Sequence, residues 1–353
     1  QDEACYRQFY EEAISLCRQK RFHEALEKCR YTSLDDEEEY SIDVIQPEKI
    51  EFKQNSYEDG ENSIISFPEF LLLVLDVCTG GEQPASHYQP DKLIEKFDAL
   101  KTYFTAGEFY EKMLYYRLLL DYYTIRRDIK DGQGNYSLIL KGPKDDSDKL
   151  KQYQSMLYVS TEAFYNWLKP YLRKLEQDEL HSCAEMLAFL KKGDNERHSI
   201  LPARKDLSYK ASGNIRYWFW RLDYYLWEQR STFFNEEEQK IVEHYVFRRN
   251  RSIEHLHPQD ESHNEEWEEE AVHSFGNLAM ISQSFNSQQS NDHIQIKFAR
   301  IHEQISNKSL QSIKMFLMCK LADFNYQNWT MKLAKEHENE MIEFLERSFY
   351  ISD

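Results

Sequence analysis

Residues 251–260 read RSIEHLHPQD, sharing Arg251 with the arginine-rich stretch FRRNR at 247–251, and GNLAMISQSFN follows at 276–286. The Glu254 carboxylate, the His255 and His257 imidazoles and the Asn277 and Asn286 carboxamides suit phosphodiester hydrolysis. A water must lose its proton near neutral pH, and histidine is the side chain whose ordinary pKa permits this. A divalent cation must neutralise the phosphate and stabilise the leaving 3′ oxygen. Hard cations take carboxylate and amide oxygens. Glu254, His255 and Asn286 supply one base and two hard ligands.

These side chains need a frame that aims them at one spot. RSIEHLHP predicts a short strand ending at Pro258, and GNLAMIS a second strand entered through a glycine turn. The stretch beginning near Ser290 predicts a helix, capped by Ser290 or Asn291. Two strands and a helix make a ββα unit over about 251–300. Elsewhere the periodicity is helical. EACYRQFYEEAISLCRQKRFHEALEKCR at 3–30 is helical, and 32–63 is polar loop with a short strand near IEFKQ. SFPEFLLLVLDVCTGG is a buried helix started by Pro68 and stopped by Gly80 and Gly81. AGEFYEKMLYYRLLLDYYTIRRDI is a long central helix, and NYSLIL at 135–140 a strand. LPARKDLSYKASG at 201–213 reads as a linker. The aromatic run NIRYWFWRLDYYLWEQR reads as a core helix rather than a base-stacking platform.

The chain has 353 residues, only 10 glycines and 8 prolines, and 41% hydrophobic residues. This predicts a mainly α protein: a helical scaffold and specificity domain over 1–210, which lacks clustered His, Asp or Cys at ligand spacing, then a domain over 211–353 that carries the small ββα unit and its hydrolytic residues embedded in further helices. The net charge of −18 counts against a protein that is chiefly a DNA-binding surface, because such surfaces are usually basic. A metal-dependent nuclease stays open, since its ion is held by carboxylates. The six cysteines form no C-x-x-C pair and sit in apolar helical stretches, which points to a reducing compartment and a cytoplasmic protein. No apolar run reaches the ~20 residues of a membrane span, and no signal peptide is expected. The chain opens on Gln1, as expected of a fragment or a processed chain.

IEHLHPQ, then FGNLAMISQSFN, then IQIKF resembles the His-Asn-His (ββα-metal, His-Me finger) nuclease pattern. More narrowly, it resembles the C-terminal nuclease domain of GmrSD-type modification-dependent (type IV) restriction endonucleases, with the form I-E-H-x-x-P-Q, G-N-L-x-L, then N and a later K. The nine-residue step from Asn277 to Asn286 resembles that in HNH domains of CRISPR effector nucleases. SFPEFLLLVLDV, DKLIEKFDAL, YYRLLLDYYTIRR and IRYWFWRLDYYLWEQR look like the helical segment preceding the nuclease in the same proteins. The resemblance implies Glu254 and Asn286 as ligands of Mg²⁺ or Mn²⁺, and His255 as general base. It implies Asn277 as the brace of the loop holding His255, and Lys297 near the phosphate or holding the helix. It also implies DNA as substrate, a role in prokaryotic defence, and a nucleotidase-like N-terminal domain marked by D-G-Q-Q-R. That motif is absent from these residues, so the domain is expected to be removed or to be a separate subunit.

Some residues keep two readings. His257 lies two positions from His255 on the same strand face, where it assists catalysis or packs. Gln259 is a candidate second-layer partner. Arg248, Arg249 and Arg251 contact phosphate or pair with the acidic run at 265–270. His263 and His273 are expected to be exposed and idle. The reading is a metal-dependent DNA endonuclease. The alternatives are a catalytically inactive helical interaction or regulatory subunit of a defence complex, and an RNA-directed HNH nuclease.

Overall fold

The structure is a computed structural model that describes residues 3–31, 60–129, 136–144, 147–160, 162–248, 252–259, 267–281 and 294–350. The fold is mainly α, as the sparse glycine and proline content predicts. The helices are α1 (Glu3–Arg18), α2 (Phe22–Tyr31), α3 (Phe67–Cys78), α4 (Leu93–Leu100), α5 (Ala106–Tyr123), α6 (Ser147–Val159), α7 (Phe164–Glu176), α8 (Cys183–Arg197), α9 (Arg216–Glu228), α10 (Arg230–Phe233), α11 (Glu236–Glu243), α12 (Glu269–Val272), α13 (Ile294–Ser306), α14 (Ile313–Leu321) and α15 (Met331–Arg347). The strands are β1 (Gly60–Ser63), β2 (Arg126–Ile129), β3 (Tyr136–Ile139), β4 (Ser252–His255) and β5 (Leu278–Ile281). Two compact units result: residues 1–147 with 164–186, and residues 148–163 with 187–353.

In the first unit, α3 starts where the sequence signals it. Ser66 caps the helix, its hydroxyl accepting from the Glu69 amide while the Glu69 carboxylate accepts from the Ser66 amide. Such a cap stabilises a helix by about 1 kcal/mol. Thr105 and Glu108 form the same box at the start of α5. The sequence pattern carried that helix through 124–129, but it stops at Tyr123 and the chain turns into β2. Thr124 is the reason at the junction: it is extended, with φ −120° and ψ 157°, and its hydroxyl donates to the Leu120 carbonyl at 2.5 Å. β2 is the middle strand of an antiparallel sheet in the order β1-β2-β3. β1 has the sequence GENS, which has no apolar alternation and so gave no strand signal. Its pairing with β2 decides its conformation. The strand expected near IEFKQ lies outside the described residues.

In the second unit, α9 is the central helix. Every residue from Tyr217 to Trp227 is buried, so the aromatic run is core. Its two charged members are individually partnered. The Arg221 guanidinium meets Asp194 at 3.2 Å, Ser348 at 3.0 Å and Asn195 at 2.7 Å. The Asp223 carboxylate accepts from the Lys314 amide at 2.8 Å and from the Tyr245 hydroxyl at 3.2 Å. β5 packs against α9 and α14, buried along its whole length. A strand enclosed this way needs apolar side chains at every position, which Leu278, Ala279, Met280 and Ile281 provide.

Candidate active site

β4 and β5 pair antiparallel, with Glu254 opposite Ala279 and His255 opposite Leu278. The Leu256 amide continues the pairing to the Asn277 carbonyl at 2.9 Å. Pro258, which has no amide proton, then follows. The turn into β5 is a single 3₁₀ turn, Phe275–Asn277. A Cβ at Gly276 would stand 2.1 Å from the Ala334 carbonyl oxygen and 2.8 Å from the Glu338 Cβ, so only glycine lets the turn lie against α15.

Asn277 is fully buried, and its carboxamide makes four hydrogen bonds. Its Oδ1 accepts from the His257 amide at 2.8 Å and from Trp329 Nε1 at 3.1 Å. Its Nδ2 donates to the His257 carbonyl at 3.0 Å and the Val272 carbonyl at 2.9 Å. Both lone-pair directions and both protons are used, so the side chain pins the segment just after His255 to the start of β5.

Glu254 and His255 are 6% and 4% exposed. Consecutive strand residues face opposite sides, and their partners differ accordingly. The Glu254 carboxylate forms an ion pair with the Lys297 ammonium, which reaches in from α13 and also donates to the His255 carbonyl at 2.5 Å. Lys297 is 4% exposed, so this is a buried ion pair joining strand to helix. The His255 ring meets other groups. Gln259 Nε2 lies 3.0 Å from its Nδ1, and His273 Nδ1 lies 3.1 Å from its Nε2. With the Gln259 amide donating, Nδ1 is an acceptor and Nε2 carries the proton, which it donates to His273. Burial, with His273 and Lys297 nearby, pushes the His255 pKa down to about 3, so the ring is neutral near pH 7.

His273 corrects the expectation that it is exposed and idle. It is buried beside His255, and its pKa is lowered by burial and by Lys210. Tyr209 stacks on it with centroids 5.7 Å apart and meets the His255 ring edge-on at 4.6 Å. The Tyr209 amide and the Ser208 hydroxyl both donate to the His273 carbonyl at 3.0 Å. Tyr209 and His273 gave no signal in the sequence: neither lies at ligand or nucleophile spacing from His255, and only packing brings them there. The His257 ring stacks on Trp267 with centroids 4.1 Å apart and planes 5° apart. Arg248 is exposed. Asn286, Arg249, Arg251 and His263 lie outside the described residues.

A buried carboxylate is a fitting hard donor for Mg²⁺ or Mn²⁺, and the imidazole on the next residue is neutral, with both ring nitrogens engaged. Among the described residues no group of three or more His, Cys, Asp or Glu side chains is arranged to hold a metal ion. Of the two ligands the resemblance implies, Glu254 is described and Asn286 lies outside the described residues. No helix among the described residues is long and apolar enough to cross a membrane. No curated protein and no solved structure matches the chain. The segment 195–344, which contains all of the site just described, matches the family described as GmrSD restriction endonucleases, C-terminal domain.

Proposed function

We propose that this chain is a metal-dependent DNA endonuclease of the HNH type that acts in prokaryotic restriction of foreign or modified DNA. The observation that carries the reading is the meeting, on one β4–β5 hairpin, of Glu254, His255, the Asn277 brace and Lys297 within a segment matching a restriction-endonuclease domain. Glu254 and Asn286 would hold Mg²⁺ or Mn²⁺, which when bound supplies charge neutralisation at the phosphate and at the leaving oxygen.

The chain's own residues account for the proton. His255 is neutral near pH 7 and able to accept one. Its working tautomer needs a free lone pair on Nε2. Rotating the Gln259 amide, so that Oε1 accepts from Nδ1–H, puts the lone pair on Nε2, and displacing His273 Nδ1 from its 3.1 Å contact frees it. His273 and Tyr209 hold the imidazole plane. An incoming phosphate raises the basicity of the ring, because the anion favours the protonated imidazole. Lys297 neutralises Glu254 until substrate arrives and lies within one side chain of the backbone of His255.

The test is nicking of supercoiled plasmid in Mg²⁺ or Mn²⁺, with and without EDTA. Cation-dependent nicking abolished by EDTA supports the reading, and a single-stranded RNA substrate run alongside tests the RNA-directed alternative. One observation favours the inactive-subunit reading: both ring nitrogens of His255 are engaged and Glu254 is held by an ammonium. DNA binding without nicking in any divalent cation would put that reading ahead.

A further inference from the structure

The turn that carries Asn277 is gripped from below by a charged side chain that no catalytic pattern calls for. Lys314, on α14, is 1% exposed. Its ammonium donates to the Phe275 carbonyl at 2.8 Å and the Leu278 carbonyl at 2.6 Å, the residues flanking the Gly276–Asn277 pair. Its third direction meets Met318 Sδ at 3.7 Å, and it sits 4.9 Å from the centre of the Phe275 ring. An apolar residue of the same length would fill this space without the cost of burying a charge. What it could not do is donate to the Leu278 carbonyl, or give the Phe275 carbonyl a second partner beside the Leu278 amide that closes the turn. The lysine is itself placed by α9, whose Asp223 carboxylate takes the Lys314 amide at 2.8 Å and so sets the first turn of α14. On the opposite side, α15 closes on the turn through the Gly276 approach to Ala334. The turn is thus held between Lys314 and α15, and its remaining freedom is what aims the Asn277 carboxamide at the His257 backbone.

We propose that Lys314 is a positioning residue for the candidate active site, holding the Phe275–Leu278 turn so that Asn277 fixes the segment that carries His255. The inference rests on the endonuclease reading for its effect on catalysis, but its geometric core is independent of that reading.

The experiment uses the full chain with Lys314→Met, which keeps length and removes the donors, and Lys314→Gln, which keeps an N–H toward the turn. Two quantities are measured on protein shown to be folded by circular dichroism: the exchange rate of the Asn277 side-chain amide protons by NMR, and the single-turnover nicking rate at saturating plasmid and Mn²⁺. For Lys314→Met the expected results are faster Asn277 exchange and a nicking rate about 10–100-fold lower, the scale of a ~1 Å misplacement. Plasmid affinity stays within about twofold, because the lysine does not touch the substrate. Lys314→Gln recovers part of both losses. Wild-type Asn277 exchange in folded Lys314→Met overturns the proposal, and so does a wild-type nicking rate. If Lys314→Met does not fold, Lys314→Gln is read by the same two measurements against the same overturning results. A wild-type chain that does not nick at all sinks the endonuclease reading, while the exchange measurement still decides the role of Lys314.

Discussion

The two sheets use charged residues in opposite ways. In the β1–β2–β3 sheet, Arg126, Arg127 and Asp128 sit at half-buried positions. Arg127 turns back on its own sheet, donating to the Ser63 carbonyl at 2.9 and 3.1 Å. In the β4–β5 hairpin, Glu254 and His255 are buried at the strand's end, and their partners come from elsewhere in the chain: Lys297 on α13, and His273 just before the turn. A half-exposed charge in a strand costs little because water shares its solvation. A buried one is costly unless paired. Buried polar strand residues matched by a buried ammonium and a second imidazole set the hairpin apart from the three-stranded sheet, and in the proposed reading the hairpin is where chemistry is built.

The largest effect that would test this contrast is on rate. His255→Ala is expected to lower single-turnover nicking by about 10²–10⁴-fold, the usual contribution of a positioned base, while circular dichroism shows an intact fold. Full activity in this variant would remove the hairpin from the chemistry. Glu254→Ala is expected to recover part of its lost activity as Mn²⁺ is raised, which separates a ligand from a base.

A second effect is on acid stability. The His255 pKa is about 3 in the folded chain and near 6.5 when unfolded, so between these values the unfolded chain binds more protons. Stability contributed by the neutral ring is therefore present above about pH 6.5 and falls as the pH drops toward 3, by a few kcal/mol on the order-of-magnitude scale. Urea unfolding of wild type and His255→Gln between pH 7 and pH 4 measures it. The variant should show a shallower acid limb, and parallel curves would mean that the ring is not buried as described.

Asn277→Ala comes next. It leaves the His257 amide, two carbonyls and the Trp329 indole without their partner. The expected loss is about 2–3 kcal/mol in unfolding free energy, with a lower nicking rate in the protein that remains folded. Arg127→Ala is the matching change in the other sheet and the smallest effect. Its bonds go to one half-buried carbonyl, so about 1 kcal/mol of stability and an unchanged nicking rate are expected. If Arg127→Ala slowed nicking as much as Asn277→Ala, the distinction between the two sheets would fail.

Much of this was legible in the residue order. The capping boxes at Ser66–Glu69 and Thr105–Glu108 are local, each closing within four residues, so composition at short spacing settles where those helices begin. The hairpin that carries Glu254, His255 and Asn277 could be read because strand, proline and glycine-turn signals are also local. What failed was of two kinds. At Thr124, helical periodicity continued in the sequence after the backbone had left the helix, because strand pairing with β1 and β3 outweighed it. At His273, an isolated polar residue looked idle because its partner stands 18 residues earlier on the hairpin's first strand.

The amino-acid order by itself determined the helical class, the main helix starts and the identity of the acid, imidazole and carboxamide on the hairpin. Only the tertiary structure decided that Lys297 neutralises Glu254, that His273 and Tyr209 enclose His255, and that Lys314 holds the Asn277 turn. The physical reason is range. Caps, turns and strand ends are fixed by bonds between near neighbours, whereas a buried charge is matched to whichever distant group the packed helices bring within about 3 Å, and no short spacing encodes that meeting.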